Sequence, residues 1–242
     1  MNISLIQSPN FSTKFRGKNE IKFIVIHYTG MQSERVCVKK LKSRKSDVST
    51  HYLINKKGEI IRMVEDKNIA WHAGKSKWKN FVNLNSKSIG IELVNKGHQF
   101  GYENFSKKQI SKLILLCKSL IKKYKIKKTN ILGHSDIAPL RKKDPGEKFP
   151  WHFLSKKKIG YWHNINKKNI NNQNLSKSEL HKIFFSNLHK IGYRYFDKKK
   201  PSKSDKKIIK VFQKRFRQNK VNGQIDQECL QISRYLASSL KY

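Results

Sequence analysis

The segment IKFIVIH at residues 21–27 is a run of aliphatic, β-branched and aromatic residues interrupted only by Lys22. A strand with one wet face alternates polar and apolar residues, so a nearly unbroken run predicts a strand covered on both faces. Covering both faces takes a layer on each side of a sheet, which points to a sandwich rather than a simple helical bundle. The run ends on a histidine, so the signal that marks the central strand also delivers a titratable ring, His27, to its tip.

The rest of the first 155 residues supplies neighbours for that strand. Ser33 opens a short helical pattern through Val36 and Leu41, and HYLINKKGEIIRMVED from His51 onward reads as two strands turning at Lys57 and Gly58. Ile89, Ile91 and Leu93 alternate with Gly90, Glu92 and Val94, so a further strand puts Glu92 on the face opposite those aliphatics. Ser106 and Gln109 carry a capping-box signal. Ile110, Leu113, Ile114, Cys117, Leu120, Ile121 and Tyr124 follow at helical spacing and predict the clearest helix of the chain. Ile131 and Leu132 then lead to Gly133 and His134 at a strand end. The expected class is α/β (α+β), a mixed central sheet flanked by helices, over residues 1–155.

From 156 to 175 the chain turns to Lys, Asn and Ser without clear periodicity and is read as a linker. A second unit, 176–242, opens with the Ser176–Glu179 capping box. Its first apolar stripe, from Leu180 to Ile191, is stopped by Gly192. A stripe through Ile208, Val211, Phe212 and Phe216 and another from Asp226 through Ile232, Leu236 and Leu240 complete a small three-helix domain.

Composition bounds the partners. The net charge of +38 would attract nucleic acid, anionic lipid or acidic wall polymer without choosing among them. Yet 45 of the 54 cations are Lys and 9 are Arg, whereas base and phosphate readout leans on the planar guanidinium. With no RNP-like or zinc-finger signature, a solvated Lys-rich surface and no specific nucleic-acid partner are expected. Cys37, Cys117 and Cys229 fall in no CxxC pair and read as small hydrophobes rather than a disulfide framework. The first 15 residues hold only Leu5 and Ile6 as an apolar pair before Gln7, without the apolar core of a signal peptide. A cytoplasmic monomer with no transmembrane segment is expected.

Zinc hydrolases use three protein ligands and leave a fourth position open. His27, His134 and Asp144 lie at a strand end, after a glycine and before Pro145, where rigid backbone can hold such a set. By spacing alone, a lone strand-end histidine is more often structural or exposed than a ligand.

Five segments in order carry a resemblance that decides between these readings: VIHYTG at 25–30, STHYLI at 49–54, AWHAG at 70–74, IGIELVN at 89–95 and GHSDIAPLRKKDPGEKFPW at 133–151. Over roughly residues 5 to 155 the chain resembles the amidase_2 family of N-acetylmuramoyl-L-alanine amidases, particularly its AmiD-like branch. The resemblance implies one Zn2+ on His27, His134 and Asp144, Glu92 as catalytic carboxylate and Lys142 as catalytic lysine. The substrate implied is peptidoglycan or muropeptide, cut between N-acetylmuramic acid, or its anhydro form, and L-alanine. His51, Tyr52, Trp71 and His72 fall in the matched segments as candidate substrate-binding residues, His51 also as an orienting group and Trp71 also as packing. The stretch VFQKRFRQNKVNGQID resembles a three-helix peptidoglycan-binding domain. By resemblance the cell envelope is the alternative location, and a recognition protein without catalysis is the alternative function.

Overall fold

The computed structural model describes residues 2–166, 170, 173–198 and 200–239. Its largest sheet has six strands: β1 (Ile3–Leu5), β2 (Phe23–Tyr28), β3 (Tyr52–Ile54), β4 (Ile60–Arg62), β5 (Ser88–Leu93) and β6 (Ile131–Gly133). The helices that cover it are α1 (Glu34–Lys42), α2 (Lys107–Tyr124), α3 (Trp151–Lys156), α4 (Lys177–Ile191), α5 (Asp205–Phe216) and α6 (Gln227–Ser238). The strand order is β1-β4-β3-β5-β2-β6. Within this sheet only the β3–β4 hairpin is antiparallel, so the sheet is mixed as the sequence implies. The run that opened the sequence is β2, paired with β5 from Phe23 opposite Ser88 to Tyr28 opposite Leu93.

Alternation along the strands sorts the core into two faces. Ile24, Ile26, Ile89, Ile91, Leu93 and Ile131 point to one side and pack under the apolar stripe of α2. Phe23 and Val25 point to the other, where Leu132 joins Phe184, Phe185, Phe212 and Phe216 of the C-terminal helices. At the far end of that second face, Cys37 and Leu41 of α1 close over Leu53, Ile61 and Met63. His27 and Glu92 continue the Phe23–Val25 row in register, which sets them in the gap between these two covers.

The units expected at 1–155 and 176–242 therefore share one apolar cluster. Ile159 and Tyr161, inside the stretch read as a linker, are buried, and the Tyr161 ring sits 5.7 Å from Phe216. Residues 167–169 and 171–172 of that stretch, and Leu240 of the last helical stripe, lie outside the described residues.

Local signals hold with one correction. Ser106 caps α2 by accepting the Gln109 N–H (3.1 Å), but the Gln109 side chain does not complete a box. It turns inward and donates to the carbonyls of Ile54 and Val94 (2.9 and 3.2 Å), sharing the first with the Val94 N–H (3.0 Å) and so tying α2 to the ends of two strands. The Ser176–Glu179 box forms in full. Gly58 holds the hairpin turn at φ +87°, and a Cβ there would meet the Lys108 carbonyl at 2.9 Å. The cysteines are free and buried. No described helix is long and apolar enough to cross a membrane.

Candidate metal centre and active site

Three elements deliver the cluster. His27 sits near the end of β2, His134 directly follows β6 and opens a one-turn helix through Ile137, and Asp144 lies in the loop beyond. His27 Nδ1 is 2.9 Å from His134 Nδ1 and 3.1 Å from Asp144 Oδ2, and His134 Nδ1 is 3.1 Å from the same oxygen. All three residues are buried.

The hydrogen bonds behind the rings say which nitrogens are bare. Ser88 Oγ donates to the Leu84 carbonyl (2.6 Å), so toward His72 Nε2 (3.2 Å) it accepts and that nitrogen carries the proton. In neutral His72 the Nδ1 is then a lone pair, which receives the Nε2–H of His27 across 3.0 Å. His134 likewise gives its Nε2–H to the Ala73 carbonyl (3.1 Å). Both Nδ1 atoms thus turn lone pairs toward each other and toward a carboxylate oxygen. Burial, reinforced by His134, lowers His27 to about 4 and keeps it neutral.

Three lone-pair donors converging in a buried site repel one another unless a cation lies among them. Two atoms each about 2.1 Å from a tetrahedral zinc would be about 3.4 Å apart. The observed 2.9–3.1 Å is within a few tenths of an ångström of that spacing, so the residues fit the ion.

The cluster opens into a cavity of about 590 Å³ whose lining includes Glu92, Lys142, Trp71, His72, Arg141, Tyr28 and His98. Glu92 lies beside His27 in register, and its Oε2 is shut off from solvent with no hydrogen-bond partner among the described residues. Burial, with the charge of Asp144 adding and Lys142 opposing, pushes its carboxyl up to about 8. Gly90, two residues earlier on the same face, leaves room for the His72 ring, which a Cβ would approach to 2.4 Å.

His72 reaches the cavity wall, but its nitrogens are spent on His27 and Ser88, so it orients the His27 ring rather than standing free for a substrate. Trp71 lines the cavity. His51 and Tyr52 do not: His51 is fully buried, accepts the Gly90 N–H (3.0 Å) and packs against Arg16, while Tyr52 donates to Asp66 Oδ1 (2.7 Å) on the α2 side. Strand alternation sends Tyr52 to the face away from Glu92. Sequence reasoning missed Arg141, which ties the cavity wall together by donating to the carbonyls of Ala73 and Lys75. Nothing local distinguishes it from the lysines that follow. Tyr28 and His98, joined at 2.8 Å, were also missed. Tyr28 could have been found as the next residue of VIHYTG.

A His–His–Asp cluster at a strand end, with a carboxyl raised toward neutrality beside it in an open cavity, has the make-up of a hydrolase site. Residues 17–147 match the Amidase_2 family, N-acetylmuramoyl-L-alanine amidase, and the chain belongs to that family and is an amidase. The N-acetylmuramoyl-L-alanine amidase AmiD of Escherichia coli is 35% identical over 231 residues, covering 89% of this chain and 82% of that protein. The 1,6-anhydro-N-acetylmuramyl-L-alanine amidase AmpD of Haemophilus influenzae is 36% identical over 60% of this chain and 86% of its own. The AmiD complex with anhydro-N-acetylmuramic acid-L-Ala-D-gamma-Glu-L-Lys superposes with a TM-score of 0.79 at 33% identity, covering 91% of this chain and 90% of that one. AMPDH3 from Pseudomonas aeruginosa in complex with anhydromuramic pentapeptide gives 0.78 at 27% identity, over 97% and 98%.

Proposed function

We propose that this chain hydrolyses the amide between anhydro-N-acetylmuramic acid and L-alanine in muropeptides, with one zinc on His27, His134 and Asp144. The observation that carries the metal is the convergence of two bare imidazole nitrogens and a carboxylate oxygen within hydrogen-bonding distance of one another. The substrate rests on relatives solved with anhydromuramyl peptides.

Zinc bound there would supply Lewis acidity to water and to the scissile carbonyl. The chain's own groups do the rest. Glu92, a carboxyl held near neutrality, can take a proton from the attacking water and return it to the leaving amine of L-alanine. Lys142, on the cavity wall, puts positive charge near the oxygen that becomes negative. The His27–His72–Ser88 relay keeps the ligand ring in one tautomer throughout. Because all five groups line one cavity, a recognition role without catalysis gains no support.

Incubation with a purified anhydromuropeptide, followed by mass spectrometry, should release anhydro-N-acetylmuramic acid and a free peptide beginning with L-alanine. Dialysis against a chelator should stop the reaction and added zinc restore it. Activity indifferent to chelation rules out the metal; cleavage at any other bond rules out the substrate.

A further inference from the structure

One buried polar cluster joins the C-terminal helices to the turn that presents two of the ligands, and the reaction above makes no use of it. Asp136 is its centre, 2% exposed. Its Oδ2 accepts the Gly133 N–H (2.7 Å) and is paired with Arg215, and its Oδ1 accepts the Tyr193 hydroxyl (2.7 Å). Arg215, on α5 and 3% exposed, also donates Nη2 to the Ile131 carbonyl (2.8 Å) and lies 4.0 Å from the centroid of the Trp151 ring. Tyr193 follows α4 and stacks edge-on against Trp78, with centroids 4.9 Å apart.

Asp136 sits in the one-turn helix that His134 begins, and its bond to Gly133 closes that turn. The Ser135 N–H of the same turn donates to the Asp144 carbonyl (2.8 Å), so the second ligand hangs on that turn as well. A buried carboxylate keeps its charge only with a countercharge and donors around it. Among the described residues, the amidase portion supplies Asp136 with one backbone N–H. The countercharge and the remaining donor come from beyond residue 176.

We infer that Arg215 and Tyr193 are positioning residues: they hold Asp136, Asp136 holds the turn carrying His134 and Asp144, and the C-terminal helical unit is thereby a working part of the active site. This rests on the reading of His27, His134 and Asp144 as metal ligands. Loss of a partner behind a ligand weakens metal binding about 10–100-fold, so truncation to the first unit should cost metal affinity, and with it hydrolysis of even a small soluble substrate.

The test uses the full chain. Tyr193→Phe removes one hydroxyl and keeps the ring; Arg215→Lys keeps charge but loses the forked contact to Asp136 and Ile131. Zinc affinity is read by competition with a chromophoric chelator, ligand geometry by the visible absorption of the cobalt-loaded protein, and folding by thermal unfolding of the metal-free form. Both variants should bind zinc about 10–100-fold more weakly, with shifted cobalt bands. Ser176→Ala, which loosens the α4 cap elsewhere in the same unit, should lower the unfolding midpoint while leaving both metal readouts unchanged. Parent-like zinc affinity and cobalt bands in both variants, whatever their unfolding midpoints, would overturn the positioning role. Should Arg215→Lys not fold, Tyr193→Phe decides alone. A parent chain that takes up neither zinc nor cobalt overturns the metal reading itself, a result distinct from unaffected variants of a metal-binding parent.

Discussion

His27, His134 and Asp144 differ from His51 and His72 in having a bare donor atom with no protein proton to meet it. Replacing His27 or Asp144 with Ala should leave two donors, too few to retain zinc through dialysis, and metal analysis together with a hydrolysis assay would show both properties lost. Glu92 makes a different prediction, because it faces the cluster without being one of the converging donors. Glu92→Gln keeps the shape and removes the exchangeable proton, so zinc content should stay at the parent level while kcat falls about 10²–10⁴-fold. Parent kcat in the Glu92→Gln variant would remove Glu92 from the mechanism. Lys142→Ala should behave like it in direction, with zinc retained and turnover reduced.

Elements are joined by small numbers of bonds whose loss has calculable direction. Ser106 caps α2 and also donates to the Lys56 carbonyl (2.6 Å), so Ser106→Ala should cost about 1 kcal/mol in urea unfolding without touching kcat. Glu147, in the loop after the ligands, accepts from His98 (3.2 Å) and pairs with Lys214 of α5 (3.1 Å). The His98 hydrogen bond is the largest cause that lowers its carboxyl to about 2, and Lys214 adds to it. A carboxyl depressed on folding stabilises above its unfolded pKa of about 4.3 and loses that contribution as pH falls toward the folded value. Glu147→Gln should therefore destabilise by about 1 kcal/mol near pH 7, a figure discounted for partial exposure, and the gap between parent and variant should close as pH drops below about 4. A gap that widens on acidification would contradict the pairing.

For the whole molecule, the net charge is +38, of which the cavity wall carries only a small part, Arg141 and Lys142 included. Any attraction to acidic wall polymer that it provides should fade with salt, because the screening length drops from about 10 Å at 0.1 M to about 3 Å at 1 M. Sedimentation of the full chain with insoluble peptidoglycan should fall steeply over that range, while hydrolysis of a small soluble muropeptide changes little. Sedimentation unchanged at high salt would instead indicate a built glycan site, the role that resemblance suggests for the C-terminal helices. Their packing on Phe23, Val25 and Leu132 already gives those helices a part in the fold.

Periodicity and turn chemistry made β2, β5, α2 and the hairpin at Gly58 legible in the sequence, because each depends on residues a few positions apart. The His27–His134–Asp144 cluster was legible because its three members sit in segments that resemble the amidase_2 family. What local reasoning could not reach were contacts between residues far apart in the chain. The Lys- and Asn-rich stretch after residue 155 has no period, yet it buries Ile159 and Tyr161 because the C-terminal helices arrive there. His51 and His72 share a motif-like setting in the sequence; only the sheet decided that one lies behind Gly90 and the other behind His27. Arg215 and Tyr193 carry no local mark at all. Their burial against Asp136, 79 and 57 residues away, follows from helix packing, and a buried charge declares its partner only once the fold has removed the water.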